Sequence, residues 1–262
     1  MTTGCNFQQI GQKLEPVIAQ TIEHFNDVKD SELVVSNSIP ILFFGDLEAY
    51  LNSPMKIVTV ALNPSDKEFS ETRFVTSEDV LTNTKSYAST LSSYFSFNPY
   101  TRWFNNFEKL LHHLKSSYYP ENNRPSFPND PKTPISNIVL HTDICSPIAT
   151  AKTWSKLKSK TEKEFREKLQ ANGKVIWSEL ISVLKPDIIL VSGGLGMCDY
   201  FDASWCDVKL PDEFDKSHKM RSATYNGSKL FWFSGKNTPL SFQDIQLSVL
   251  EEYVLGKGKE AL

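Results

Sequence analysis

Three short runs of aliphatic and β-branched residues, separated by much longer stretches with helical spacing, constrain the fold of this chain most. The runs are residues 56–62 (KIVTVAL), 138–140 (IVL) and 187–191 (DIILV). Runs this short and apolar are typical of strands buried on both faces, and strands that alternate with helices form parallel sheets. The sequence therefore predicts an α/β fold of three layers, α/β/α, around a short and mainly parallel central sheet.

The predicted helices have apolar residues at helical spacing, and they span residues 6–30, 101–115, 161–184 and 242–255. We expect Pro16 to divide the N-terminal helical segment into two helices. Thr101 can cap the second helix, which carries a broad apolar stripe. In the third helix Gly173 is a candidate interruption.

A hairpin completes the predicted sheet. Asn226-Gly227 separates residues 220–225 from residues 229–233, and this dipeptide between apolar runs is a strong hairpin signal. Five prolines predict an irregular insertion over residues 116–136. Strands and helices alternate again after this insertion, so we expect one domain over residues 1–262.

Composition narrows the class of protein. The chain has 262 residues and is 40% hydrophobic, enough for a substantial core. No run approaches the roughly 18 apolar residues of a membrane span, and the polar start does not resemble a signal peptide, so we expect a cytoplasmic monomer without a membrane partner. No C-x-x-C pair is present, which indicates buried thiols rather than a disulfide framework, and we expect no metal or other cofactor. The four cysteines are Cys5, Cys145, Cys198 and Cys206.

The net charge of −3 does not indicate a nucleic-acid partner, but the distribution of charge does. Residues 151–174 hold eight basic side chains against three acidic ones. Such a surface can follow the phosphates of DNA, and we expect Lys156, Lys158 and Lys160 to contact them. The alternative is a solvated helix face with ion pairs between residues four positions apart.

Two loops that follow strands carry the clearest functional signal. Residues 61–65 (ALNPS) come after the first strand, and residues 236–241 (KNTPLS) come after the last. In α/β sheets the functional loops lie beyond the carboxyl ends of the strands. Taken alone, Asn63-Pro64 predicts only a rigid turn.

These loops resemble two loops of the uracil-DNA glycosylase-like superfamily. The first is similar to its G-x-N-P-G/S loop, and the second matches its H-P-S-P-L-S loop in the last three residues. The resemblance covers most of residues 45–255. It implies a monofunctional DNA glycosylase, which flips a base out of DNA and hydrolyses the bond between base and sugar to leave an abasic site.

The resemblance implies roles for the first loop. Asn63 matches the residue that positions the hydrolytic water. Ser65 stands where the uracil-specific enzymes have a tyrosine that excludes bases substituted at ring position 5, so the pocket is open on that side. Phe74 lies near the position of the aromatic that stacks on the flipped base, with Phe69 as the alternate. For either phenylalanine, core packing is the other interpretation.

The loop after the second strand resembles the family's N-x-C-P, with Asp143 in the place of the asparagine that reads uracil and Cys145 in register. An ionised carboxylate only accepts hydrogen bonds, so it fits the exocyclic amine of cytosine, and a protonated ring nitrogen beside it, better than the carbonyl of uracil. Asp143 can instead cap a loop or a helix, and His141 is an alternative base reader.

In the late loop, Pro239-Leu240-Ser241 matches the family's P-L-S, whose leucine enters the duplex as the base leaves. Lys236 takes the place of the family's histidine, where a cation stabilises the departing base. Thr238 replaces a serine that contacts phosphate. Outside this context Lys236 is an ordinary solvated lysine.

Ser65 and Asp143 together favour a cytosine substituted at position 5, such as hydroxymethylcytosine or its glucosylated form in phage DNA. The chain also resembles superfamily members that act in anti-phage defence, which implies that role. Uracil removal in DNA repair is the alternative substrate class. Two other classes of function stay open: a non-catalytic reader of modified or single-stranded DNA, and an α/β enzyme that acts on a small nucleoside.

Overall fold

The structure is a computed structural model, and it describes residues 3–70, 73–74, 78–96, 99–113, 127, 138–210 and 219–234. Its α-helices are α1 (Thr3–Asn26), α2 (Leu47–Asn52), α3 (Glu78–Thr82), α4 (Thr84–Ser92), α5 (Thr101–His113) and α6 (Lys160–Leu184). Its strands are β1 (Ile57–Ala61), β2 (Val139–Asp143), β3 (Ile188–Gly193), β4 (Cys206–Asp207), β5 (Met220–Tyr225) and β6 (Ser228–Ser234). Short 3-10 helices span Asp66–Phe69, Tyr94–Ser96, Trp154–Lys156 and Leu195–Tyr200.

The six strands form one mixed sheet in the order β2-β1-β3-β6-β5-β4. The first four are parallel to one another, whereas β5 pairs antiparallel with β6 and with β4. The predicted α/β fold with a mainly parallel sheet is confirmed. The two-residue strand β4 was not predicted, because so short a segment has no periodicity.

The predicted hairpin is confirmed as β5 and β6. Asn226 and Gly227 both have positive φ angles, 48° and 84°. Positive φ at both central residues is the requirement of the tight turn that matches the twist of the strands, and Asn-Gly meets it at low cost.

Helices cover both faces of the sheet, as two neighbouring residues of β2 show. Successive side chains of a strand point to opposite faces. His141 packs against Trp103 and Phe104 of α5, whereas Thr142 accepts a hydrogen bond from Trp177 of α6 at 2.9 Å. Therefore α5 and α6 lie on opposite faces, and α1 packs on α6.

The expectation that Pro16 divides the first helix is wrong, because α1 continues through it. Proline removes one backbone donor and costs roughly 3 kcal/mol inside a helix. Pro16 itself is exposed, while Leu14, Val17 and Ile18 on either side of it are buried. Burial of these side chains along one helix offsets the local cost.

The interruption at Gly173 is also wrong, since α6 is continuous. A Cβ atom at Gly173 would lie 2.1 Å from the carbonyl oxygen of Cys145. The glycine therefore lets α6 pack directly on the loop that follows β2. A glycine that costs helix stability is here required by tertiary packing.

The described residues share one hydrophobic cluster around the sheet. Phe127, from the predicted proline-rich insertion, is fully buried against Phe95 and Phe104. The rest of residues 116–136, and the predicted helix over residues 242–255, lie outside the described residues. No helix in the described part of the chain is long and apolar enough to cross a membrane.

The predicted burial of the cysteine thiols is confirmed for two of the four residues. Cys145 and Cys198 are buried. Cys206 is exposed, so the prediction is wrong for this residue. It lies on β4 at the edge of the sheet, where only one side of the strand is paired. The side chain of Cys5 lies outside the described part.

Candidate active site

The candidate site lies at the carboxyl edge of the sheet, where β1 has β2 on one side and β3 on the other. Such a point, where the strand order reverses, leaves a crevice between the loops. The loops after β1 and β2 are held together by backbone hydrogen bonds, from Ile144 N to Ala61 O at 3.0 Å and from Cys145 N to Leu62 O at 2.9 Å. This edge therefore places Asn63 close to Asp143.

The side-chain amide of Asn63 is held in one orientation. Its Nδ2 donates to Pro64 O and to Thr150 Oγ1, each at 3.1 Å. Thr150 Oγ1 in turn donates to Lys152 O at 2.7 Å. Both amide hydrogens are used, and no described residue donates to Oδ1. That oxygen is free to accept a hydrogen bond from a water molecule.

Ser65 caps the 3-10 helix that follows this loop. Its Oγ accepts from Lys67 N at 3.2 Å and lies 3.0 Å from Asp66 Oδ1. The side chain is therefore engaged locally, and its small size is what it contributes to the site. Its predicted role, to leave room for a group at position 5 of the base, stays a prediction.

Asp143 ends β2 with only 6% of its surface exposed. Neither carboxyl oxygen has a hydrogen-bond partner among the described residues. His141 Nε2 lies 3.7 Å from Oδ1, beyond hydrogen-bond distance. Burial raises the pKa of Asp143, and the neighbouring His141 ring opposes the increase. Within the described part of the chain Asp143 caps neither a loop nor a helix, because no backbone N–H there donates to either oxygen.

His141 precedes Asp143 by two residues, so both side chains point to the same face of β2, where His141 packs among aromatic rings. Its Nδ1 is 2.9 Å from Thr59 Oγ1, and its ring centroid is 4.4 Å from that of Trp103 and 5.7 Å from that of Phe44. These contacts fix the ring beside Asp143. A role for His141 in reading the base stays a prediction.

Glu68 belongs to the same site and was not predicted. It is only 5% exposed, and Tyr94 Oη donates a hydrogen bond to its Oε2. Burial raises the pKa of Glu68 to about 8 against this hydrogen bond, and the Asp143 carboxyl adds to the increase. The segment Asp66–Phe69 has the sequence of an exposed turn, so only the fold identifies Glu68 as a buried acid.

An aromatic cluster contacts Glu68 through Tyr94 and His141 through Phe44. Phe74 is 6% exposed and stacks on Tyr94 with a centroid distance of 5.1 Å and on Phe69 with 5.6 Å. Tyr94 and Phe44 meet edge to face at 4.6 Å. The described residues thus support core packing for Phe74. Phe69, which stacks on it, is only partly buried. Stacking of either ring on a base stays a prediction.

The late loop starts at the same edge of the sheet, because β6 is parallel to β3 and ends at Ser234 beside Gly193. The predicted residues of this loop lie outside the described part of the chain: Lys236, Thr238, Pro239, Leu240 and Ser241.

The basic segment is exposed, as expected for a surface that contacts DNA. Lys156 and Lys158 are exposed and make no ion pair with a described residue. Lys160 is 4.0 Å from Glu164, four positions along the helix, which fits the alternative of a solvated face with ion pairs. Within the described residues no group of three His, Cys, Asp or Glu side chains can hold a metal ion.

The chain matches no protein-family model, and neither a curated protein nor a solved structure shows significant similarity to it. The function of this protein is therefore inferred from the geometry of the site and from the motifs in the sequence.

Proposed function

We propose that this protein is a monofunctional DNA glycosylase that releases a 5-substituted cytosine from DNA. The observation that carries the proposal is a pair of side chains at the carboxyl edge of adjacent strands. Among the described residues, nothing donates to the oriented amide oxygen of Asn63, and no hydrogen bond reaches the buried carboxyl of Asp143. A buried polar group without a partner is costly, and such groups occur where a ligand completes them.

Asn63 has the geometry to orient a water molecule. Its two donors hold the amide, so the position of Oδ1 does not depend on the substrate. Hydrolysis of a glycosidic bond passes through a state with positive charge on the sugar, which water captures readily. Orientation of that water is the main requirement, and an amide oxygen is sufficient for it.

Asp143 supplies a hydrogen-bond acceptor to the edge of the base. The exocyclic amine of cytosine donates, whereas the corresponding group of uracil is a carbonyl and accepts. A carboxyl oxygen that accepts no hydrogen bond from a described residue thus favours cytosine. Ser65 in place of a bulky residue favours a substituent at ring position 5, such as the hydroxymethyl or glucosylated groups of phage DNA. We infer a role in anti-phage defence from this substrate and from the resemblance of the chain to superfamily members that act in such defence.

The late loop and the basic segment complete the proposal. Leu240 would enter the duplex in place of the flipped base, and Lys236 would stabilise the departing base. Lys156 and Lys158 would contact phosphates. Replacing both lysines with glutamine should weaken DNA binding for all sequences alike and reduce its salt dependence, which measurements of affinity at several salt concentrations would show.

The direct test uses oligonucleotides that carry one uracil, one 5-hydroxymethylcytosine or one glucosylated hydroxymethylcytosine. Each is incubated with the protein and then with alkali, which cleaves DNA at abasic sites. We expect cleavage at one or both modified cytosines and little at uracil. Preferential cleavage at uracil would instead support a repair enzyme, and binding without cleavage would support a non-catalytic reader.

A further inference from the structure

A cytosine is harder to release than a uracil. When the glycosidic bond breaks, both electrons of the bond stay with the base, and the anion of cytosine is a much stronger base than that of uracil. Orientation of water does not solve this problem, because it acts on the sugar. A proton delivered to the base does, because cytosine then leaves as a neutral molecule.

We infer that Asp143 is a general acid, which transfers its carboxyl proton to ring nitrogen 3 of the cytosine as the base departs. This inference depends on the proposed function and adds a catalytic role to a residue proposed there only to recognise the base. It also explains why an acid occupies this position, since an amide cannot give up a proton.

The surroundings of Asp143 suit a neutral acid. The side chain is buried, no backbone N–H or hydroxyl of a described residue donates to either oxygen, and His141 Nε2 stays 3.7 Å away. An ionised carboxylate in this position would lack the hydrogen bonds that stabilise its charge. The carboxylic acid has one donor and one acceptor, which match ring nitrogen 3 and the exocyclic amine of cytosine.

The step is balanced in atoms and electrons. The O–H bond of Asp143 breaks and an N–H bond forms at ring nitrogen 3, while the electron pair of the C1′–N1 bond remains on the base. The base leaves as a neutral tautomer of cytosine. The water at Asn63 adds to C1′ and releases a proton, which restores the acid form of Asp143.

The titratable groups around Asp143 come from three elements. His141 shares β2 with it, Cys145 lies in the loop that follows, and Glu68 faces it from the 3-10 helix after β1. Glu68 also accepts a hydrogen bond from Tyr94 and interacts electrostatically with Arg73. A second acid near Asp143 makes loss of its proton less favourable, because two negative charges would then share one buried pocket.

The test compares 5-hydroxymethylcytosine with 3-methylcytosine, whose ring nitrogen 3 carries a methyl group and whose ring is positively charged at neutral pH. This base leaves as a neutral molecule without a proton. In single-turnover assays Asp143→Ala should release 5-hydroxymethylcytosine at least a hundredfold more slowly than the wild type, a typical contribution of acid catalysis. The same variant should release 3-methylcytosine at least as fast as the wild type, because alanine makes room for the methyl group.

The matched control is Asp187→Ala. Asp187 accepts a hydrogen bond from Lys56 N at 2.7 Å and precedes β3 at the opposite edge of the sheet. It should leave both rates unchanged. A pH profile gives a second readout: release of 5-hydroxymethylcytosine by the wild type should decrease as pH rises through the pKa of Asp143, and the residual rate of Asp143→Ala should not show this decrease.

Equal losses of Asp143→Ala on both bases, or the same pH dependence of 5-hydroxymethylcytosine release in the wild type and in Asp143→Ala, would overturn the acid role while base release itself remained. The proposed function fails separately, if the wild type releases no base from any of the oligonucleotides.

Discussion

Two carboxyl groups of this protein have opposite surroundings. Glu162, in the first turn of α6, accepts from Lys152 Nζ and from the backbone N–H groups of Lys158 and Ser159, and Ser159 completes a capping box. Its hydrogen bonds, with Lys152 first, lower the pKa of Glu162 to about 2. Asp143 has no hydrogen-bond partner among the described residues, and burial raises its pKa.

The difference separates a structural acid from a candidate functional one. Glu162 is satisfied within the protein, so it stabilises the start of a helix. Asp143 receives no hydrogen bond from a described residue. Its burial therefore costs free energy that a ligand can offset. Strongly perturbed acids in a crevice are typical of active sites. Variants at the two kinds of site should therefore change different quantities.

The largest effect is expected at Asn63. Asn63→Ala removes the oriented acceptor and should slow base release at least a hundredfold, with DNA binding nearly unchanged, because water acts only after the base is held. Single-turnover rates and binding to an oligonucleotide measure the two quantities. Asn83→Ala is the matched control, since Asn83 only caps α4 through Lys85 N and Ser86 N. It should cost about 1 kcal/mol of stability without slowing base release.

The same acid-to-amide change at Asp143 and at Glu162 tests whether the two acids differ in function. Asp143→Asn should shift preference from cytosine-type to uracil-type bases by roughly ten- to a hundredfold, because an amide cannot transfer a proton to the departing cytosine but can donate a hydrogen bond to the uracil carbonyl. Competition between two labelled oligonucleotides measures this shift. Glu162→Gln should leave the preference as it is. If Asp143→Asn keeps the original preference, Asp143 does not recognise the base.

Glu68→Gln should change how stability depends on pH. The folded chain holds the Glu68 proton up to about pH 8, because its pKa is raised, whereas the pKa of a glutamate in an unfolded chain is 4.5. The folded state therefore binds more protons between these values, and the stability of the wild type falls as pH rises through this window. The glutamine variant lacks this loss, so relative to the wild type it should gain a few kcal/mol between pH 5 and pH 8.

Urea unfolding at several pH values measures this gain. Glu48→Gln, at an exposed position in the first turn of α2, is the control and should follow the wild type. Parallel stability curves for Glu68→Gln and the wild type would show that Glu68 is ionised in the fold.

The smallest effect is expected for Glu162→Gln, which should lower Tm by a few degrees at neutral pH because the pair with Lys152 and part of the cap are lost. The pKa of Glu162 is lowered in the fold. The stabilising effect of Glu162 is therefore fully present above pH 4.5 and disappears as the pH falls toward about 2. Thermal unfolding near pH 2 and near pH 7 would show a difference only at the higher pH. A difference that persists at low pH would indicate lost packing rather than lost charge.

Most of the fold could be predicted from local sequence patterns. The strands β1, β3, β5 and β6 and the helix α6 follow from apolar runs, from helical spacing and from the Asn-Gly turn, all of which depend on neighbouring residues. The two wrong predictions about helices, at Pro16 and Gly173, share one cause. Both residues disfavour a helix locally, and packing against the rest of the protein outweighed that preference in each case.

The candidate site was predictable only in part. Asn63 and Asp143 follow adjacent strands, so the sequence indicates that they lie at one edge. Glu68 had no signal in the sequence, because its neighbours Asp66 and Lys67 make the segment look exposed. Thr150 likewise lies far along the chain from the Asn63 amide that it holds.

The sequence by itself determined the order of strands and helices, the hairpin and the side chains that end the strands, because these depend on residues close together in the chain. Only the tertiary structure decided the charge state of those side chains. The pKa of Glu162 is lowered by the hydrogen-bond donors that surround it. The pKa values of Asp143 and Glu68 are raised by burial. Burial and hydrogen-bond partners come from distant parts of the chain, so the same carboxyl group becomes a helix cap in one place and a candidate acid in the other.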